Sequence, residues 1–187
     1  NQYFLVSFPK TGRTWLNYMI KQMVKQSNHP LKNNENFIFN EHDNSEIIIE
    51  NGTRNNPLDV FKFTSRTRYR RGKVLFLVRD PRDVVVSHFH QVTKRSRNPF
   101  VFKSISDFVK DDILGFNRII HYYNLWFSQK DIPKDFLLIK YEDLLNEGVD
   151  TLLEINQFFN IDISKDKIEK IYSECSADNM RKKEKEN

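Results

Sequence analysis

The chain has 187 residues, 39% of them hydrophobic and including 16 Phe and 7 Tyr; that suffices for one domain with a substantial core and excludes global disorder. A formal charge of +5 suits an anionic ligand without calling for a nucleic-acid partner. The single cysteine, Cys175, excludes an intrachain disulfide and points to a reducing, cytoplasmic setting, and no apolar run approaches the roughly 18–20 residues of a membrane span.

In chain order, "YFLVSF" (3–8) is short, apolar and closed by Pro9, which predicts a buried strand. The polar loop Lys10, Thr11, Gly12 and Arg13 follows. From 14 to 26 the apolar residues Trp15, Leu16, Met19, Ile20, Met23 and Val24 recur at helical spacing, and "NHP" (28–30) closes that helix. "FIFN" (37–40) and "DVFKFT" (59–64) read as strands, with an uncertain extended piece at 46–49 between them. "KVLFLV" (73–78) is apolar throughout, as a strand covered on both faces must be. Pro81 suits the first turn of a helix, expected to run to about Lys94. Ser104 and Ser106 are candidate caps for "DFVKDDIL" (107–114). Helices are expected over 116–129, 150–159 and 165–175, a strand over 136–141, and a charged tail over 181–187.

Alternating strands and helices predict an α/β domain of three layers, α/β/α, with a central, mainly parallel sheet. Ligands of such sheets sit at the carboxyl ends of the strands, so the chemistry is sought after Phe8, Asn40, Thr64, Val78 and Tyr141. At the first of these places the backbone N–H groups of 11–14 open a helix and favour an anion. Gly12 permits close approach. Lys10 supplies a mobile charge, Thr11 and Thr14 hydroxyls, and Trp15 a flat face for a base. The loop is not GxxxxGK[ST], the triphosphate-binding pattern. An ordinary strand–turn–helix with solvated Lys10 and Arg13 is the competing reading. At the fourth place a buried strand delivers Arg79, a bidentate anion grip, ahead of a helix carrying Ser87. Two alternatives stand against it: a solvated Arg79–Asp80–Arg82–Asp83 cluster, worth little energetically, or a metal-holding strand end at Asp80 like that of a triphosphate hydrolase.

Taken together, "FPKTGRTW" (8–15) and "RDPRDVVVS" (79–87) resemble the sulfotransferases that use 3′-phosphoadenosine 5′-phosphosulfate. The first is similar to the family's 5′-phosphosulfate loop, and the second to its 3′-phosphate motif, in which an Arg and a Ser eight positions later bind that phosphate. "IKYEDL" (139–144) resembles a third segment whose Tyr lies near the adenine, and "SADNMRKKE" (176–184) one before the last nucleotide-binding loop. The resemblance implies a single sulfotransferase domain over 1–187 with a P-loop nucleotide-kinase-like fold. It implies donor contacts from Lys10, Thr11, Gly12, Arg13, Thr14, Trp15, Arg79, Ser87 and Tyr141, with adenosine 3′,5′-bisphosphate (PAP) as product. Lys10 would stabilise the leaving phosphate oxygen, and the scheme needs no metal.

The family's catalytic His, in a "K-T-H" segment, would fall in "FKFTSRT" (61–67), where Thr64 or Ser65 stands instead. In other branches a Glu near the end of the second strand is the base. Here "NEHDNS" (40–45) offers Glu41, His42 and Asp43. His42 is favoured because its ordinary pKa near 6.5 suits a base at neutral pH, with Glu41 second. His88 and His90 are expected to pack or face solvent. Ala177 stands where the family often has an adenine-stacking Phe, which leaves more of the base contact to Trp15 and Tyr141. A later Arg-Lys-Gly loop is not reached before Asn187; either the chain is truncated there or Arg181, Lys182 and Lys183 partly substitute. The acceptor is expected to be a small molecule or a glycan, with its identity and the oligomeric state left open. The rival functions are a P-loop kinase or hydrolase and a non-catalytic nucleotide-binding domain.

Overall fold

The computed structural model of the protein describes residues 2–29, 39–41, 69–96 and 99–175. The expected pieces at 46–49 and 59–64, and the tail, lie outside the described residues.

Among the described residues four strands form one parallel sheet: β1 (Gln2–Ser7), β2 (Phe39–Glu41), β3 (Gly72–Val78) and β4 (Asp135–Lys140), in the order β2-β1-β3-β4. The helices are α1 (Arg13–Lys25), α2 (Pro81–His90), α3 (Ile105–Val109), α4 (Phe116–Ser128), α5 (Tyr141–Asn146), α6 (Gly148–Phe159) and α7 (Lys165–Glu174). Among the described residues no helix is long and apolar enough to cross a membrane.

Side chains alternate across a strand, and both faces of this sheet are covered. Tyr3, Leu5, Leu75, Leu77 and Ile139 face one layer, packing with Met19, Ile20, Leu152, Ile155, Phe159 and Ile171 from α1, α6 and α7. Phe4, Val6, Val74 and Phe76 face the other, against Val84, Phe108, Ile119 and Trp126 from α2, α3 and α4. The expected three layers are present. The second layer is strongly aromatic: Phe76 stacks on Trp126 with centroids 5.7 Å apart, and Phe4 meets Tyr69 edge-on at 4.8 Å. Such pairs add about 0.5–1.5 kcal/mol each beyond the area they bury.

Several boundaries differ from expectation. The α-helix begun at Pro81 stops at His90 and continues as a π-helical turn over Gln91–Arg95. There the Thr93 hydroxyl donates to the Phe89 carbonyl at 2.7 Å, the kind of side-chain claim on a backbone acceptor that disturbs a regular ladder. The segment expected as a helix over 107–114 is instead the short α3. Ser104 caps it by accepting from the Asp107 N–H at 3.1 Å. The Asp111 carboxylate then accepts from the N–H groups of Ile113 and Leu114, which satisfies those donors in a turn. Tyr141 does not end β4 but opens α5. Helix α6 begins two residues early, at Gly148, where an added Cβ would lie 2.0 Å from the Tyr172 ring.

Candidate functional site

The chain leaves β1 to one side for β2 and returns to the other side for β3, so β1 and β3 flank the point where strand order reverses. A crevice opens there, at the carboxyl edge of an open parallel sheet. β1 and β3 are paired with Ser7 opposite Leu77, so the loop after Phe8 and the Arg79 segment start side by side.

Two left-handed residues turn the loop: Lys10 at φ 72° and Gly12 at φ 93°. At Lys10 this conformation carries a cost, because a Cβ crowds the backbone there. Thr11 is fully buried and its hydroxyl donates to the Phe8 carbonyl at 2.9 Å; its proton fastens the loop. Gly12 occupies the N-cap of α1 and supplies no side-chain cap, so the first turn keeps its attraction for an external anion. The Lys10 Nζ reaches the Gln91 Oε1 at 3.4 Å. Trp15 is 8% exposed, and its indole N–H donates to the Cys175 carbonyl at 2.5 Å. Its body belongs to the core. Thr14 is exposed and Arg13 half-buried.

Arg79 follows β3 immediately. Its guanidinium lies 4.6 Å from the centroid of the Tyr141 ring and meets the Asp83 carboxylate at 3.2 Å. The same ring crowds Gly12, where an added Cβ would come within 2.5 Å of its Cδ2 and Cε2. Its edge meets Trp15 at a centroid distance of 5.8 Å. Tyr141 thus joins the loop to Arg79. Ser87 is half-buried on α2, two turns beyond Arg79.

Asp80 behaves as a helix cap. Its carboxylate accepts from the Arg82 N–H at 2.8 Å and from the Arg82 Nε at 3.0 Å. Those hydrogen bonds hold its pKa down to about 2. A carboxylate so engaged is a poor match for the metal-holding strand end weighed above. His88 is buried between Phe8 and Phe108, with ring centroids at 5.5 and 5.6 Å. Its Nδ1 faces the Leu114 carbonyl at 3.2 Å and must donate to it, and burial pushes its pKa down to about 4. It is a neutral packing histidine. Glu41 ends β2 one residue after the pair Leu5–Asn40, in register with Val6, so its backbone leaves the sheet at the crevice edge. Nothing is described of its side chain, and His42 lies outside the described residues.

Three neighbours of the crevice escaped the sequence reading. Gln91 touches Lys10, Glu142 accepts from the Asp80 N–H at 2.9 Å, and Tyr123 binds the backbone of Arg79. For Tyr123 a partial signal existed: it lies beside the buried stripe Ile119, Tyr122 and Trp126 of α4, and a phenol so placed needs a partner for its hydroxyl. Which partner was not readable. A separate cavity of about 390 Å³, lined by residues that include Lys130, Pro133 and Phe136, lies at the amino end of β4, the edge opposite the crevice.

Known proteins share this fold. Rabbit (Oryctolagus cuniculus) amine sulfotransferase is 22% identical over 191 residues, covering 95% of this chain and 62% of that protein. Cytosolic sulfotransferase 10 of Arabidopsis thaliana is 25% identical over 211 residues, covering 95% and 63%. The chain therefore spans a little under two thirds of the length of these relatives. Among solved structures, a mouse sulfotransferase complexed with PAP superposes with a TM-score of 0.66 at 22% identity, over 96% of this chain and 65% of that one. Retinol dehydratase, in complex with androsterone and the inactive cofactor PAP, gives 0.59 at 16% identity, over 95% and 65%. These likenesses establish the fold. A protein-family model described as "Sulfotransferase domain" matches residues 1–187, the whole chain, and the chain accordingly belongs to the sulfotransferase-domain family.

Proposed function

We propose that the crevice binds 3′-phosphoadenosine 5′-phosphosulfate and that the protein transfers its sulfuryl group to a hydroxyl or amine of a small-molecule or glycan acceptor. The observation that carries the reading is that the 10–15 loop, at Gly12, and the Arg79 guanidinium both meet one ring, Tyr141, at one edge of the sheet. Two cationic grips so placed suit a nucleotide charged at both its 3′ and 5′ positions. The fit is supported by the Arg79 Nε, which is buried with no hydrogen-bond partner among the described residues. A buried donor left unmade is costly, and an anion at this place would satisfy it. The Asp83 that shares the guanidinium is 59% exposed, a weak competitor.

The bound donor supplies the sulfuryl group and a bisphosphate leaving group; the remaining work falls to the chain. Lys10 and the N–H groups opening α1 stabilise negative charge at the departing 5′-phosphate oxygen, where each preorganised donor contributes roughly 3–4 kcal/mol. Thr11, Gly12, Arg13, Thr14 and Trp15 hold the 5′ end through the backbone N–H groups that open α1, Arg79 and Ser87 hold the 3′-phosphate, and Tyr141 lies by the adenine, since the Trp15 ring expected to share that contact is spent in the core. For the base that takes the acceptor's proton we propose His42, with Glu41 second; that β2 ends at Glu41 at the crevice edge supports a base from this segment. "Cytosolic" in the name of the Arabidopsis relative supports a cytoplasmic setting.

A thermal-shift panel tests the reading. At about 100 times its Kd, adenosine 3′,5′-bisphosphate should stabilise the protein by roughly 2.7 kcal/mol, AMP much less, with no dependence on Mg²⁺. Arg79→Ala should remove about 1.5–3 kcal/mol of bisphosphate binding, the strength of a charge-assisted hydrogen bond, and spare AMP. Equal losses for the two nucleotides, or a larger shift with ATP and Mg²⁺, would overturn it.

A further inference from the structure

Arg79 is the first residue beyond β3, where the ladder to neighbouring strands has ended. Its backbone groups need partners, since a buried N–H or C=O left alone is costly. One side chain serves both. The Tyr123 hydroxyl accepts from the Arg79 N–H at 3.2 Å and donates to the Arg79 carbonyl at 2.9 Å. The partners are 44 residues apart in sequence. Tyr123 is itself held by α4, whose neighbouring Tyr122 and Trp126 are buried against Phe76, and its own ring meets Phe76 at 6.1 Å. The anchor is therefore rigid. Burial pushes the hydroxyl's pKa up, so it keeps the proton it donates.

The guanidinium beyond that backbone is only a quarter exposed and is stacked on Tyr141. A stacked, half-buried fork reaches its ligand only if its Cα is held in place, because the stack leaves the side chain little freedom to compensate. We propose that Tyr123 is the positioning residue for the 3′-phosphate grip: by clamping both backbone groups of Arg79 it aims the guanidinium, and so sets the preference for a 3′-phosphorylated nucleotide. This rests on the reading of Arg79 as that grip.

The test is the ratio of affinities for adenosine 3′,5′-bisphosphate and AMP, measured by calorimetry on the wild type, Tyr123→Phe, Arg79→Ala and the double variant. Tyr123→Phe keeps the ring and deletes the clamp. It should weaken bisphosphate binding about 5- to 10-fold, the worth of one or two hydrogen bonds, and leave AMP within about twofold. In the Arg79→Ala background it should cost no further selectivity, because coupled residues are non-additive. If Arg79→Ala lowers the ratio and Tyr123→Phe does not, or if Tyr123→Phe weakens both nucleotides alike, Tyr123 is a structural tyrosine and the inference falls alone. If Arg79→Ala leaves the ratio unchanged, the grip itself has been misassigned and both readings fall. Should Tyr123→Phe not fold, hydrogen exchange of the Arg79 amide in the wild type decides. Bisphosphate must slow it several-fold more than AMP does, and equal protection by the two overturns the inference.

Discussion

His88 shows at the scale of one residue how burial redirects a chemically able side chain. It follows Ser87 on α2, in reach of Lys10's charge, and its burial between two phenylalanines holds its pKa at about 4. Its folded value lies below the ordinary 6.5, so the neutral form is the one that folding favours. That stability is complete above about pH 6.5 and is lost as pH falls toward 4, where the unfolded chain takes up a proton that the folded chain refuses. We expect a slope of up to about 1.4 kcal/mol per pH unit in that window, a loss on the order of 3 kcal/mol. Urea denaturation at pH 7.5 and pH 4.5 checks it: His88→Asn, which keeps a donor for the Leu114 carbonyl, should flatten the slope relative to wild type. Arg79 and Tyr141 stand directly after β3 and β4 and Lys10 three residues after the end of β1, so each could be singled out from local sequence. The contacts of Gln91 with Lys10 and of Tyr123 with Arg79 span 81 and 44 residues, and no local pattern carries information over such distances.

The end of α6 shows what local chemistry decides at the scale of an element. Asn160 takes the left-handed conformation at φ 54°. The Asn160 N–H then donates to the Gln157 carbonyl at 3.1 Å and the Ile161 N–H to the Asn156 carbonyl at 3.0 Å, a Schellman ending. The side chain of Asn156 completes the corner. Its Nδ2 donates to the Ile163 carbonyl at 3.2 Å and its Oδ1 accepts from the Ile163 N–H at 3.3 Å, both buried. Asn156→Ala orphans both groups and should cost about 1–3 kcal/mol, read as a lower urea midpoint with an unchanged m-value. Element types were largely legible, because apolar runs and 3.6-residue stripes differ in period. Boundaries were less so. In the π-helical turn after α2 a threonine hydroxyl takes the Phe89 carbonyl, and beyond the short α3 Asp111 captures two N–H groups. Both are competitions between a side chain and the helical ladder, and composition does not reveal which side wins.

On the scale of the whole molecule, β3 is the shared wall of both cores. Leu75 and Leu77 serve one layer, Val74 and Phe76 the other, all fully buried. Leu75→Ala should cost about 2–5 kcal/mol through lost transfer energy and the cavity left behind, a large share of the roughly 5–15 kcal/mol of a typical domain. Fluorescence and far-UV circular dichroism in denaturant should report that loss with coincident transitions, since neither layer has a sheet of its own to fall back on. Separate transitions for the two probes would show that the layers unfold independently.

By itself the sequence determined that this is a parallel α/β domain with a polar, glycine-containing turn after its first strand and an arginine after its most apolar one. Those features are written in consecutive residues, where strand period, proline, glycine and charge act locally. Only the tertiary structure decided that the turn and the arginine share one crevice, that both meet the Tyr141 ring, that Trp15 spends its indole N–H inside the core, and that Tyr123 holds the backbone from which Arg79 projects. The reason is physical: strand order and the packing of distant helices are settled by burying two faces of one sheet at once, a collective condition on many residues that no single segment expresses.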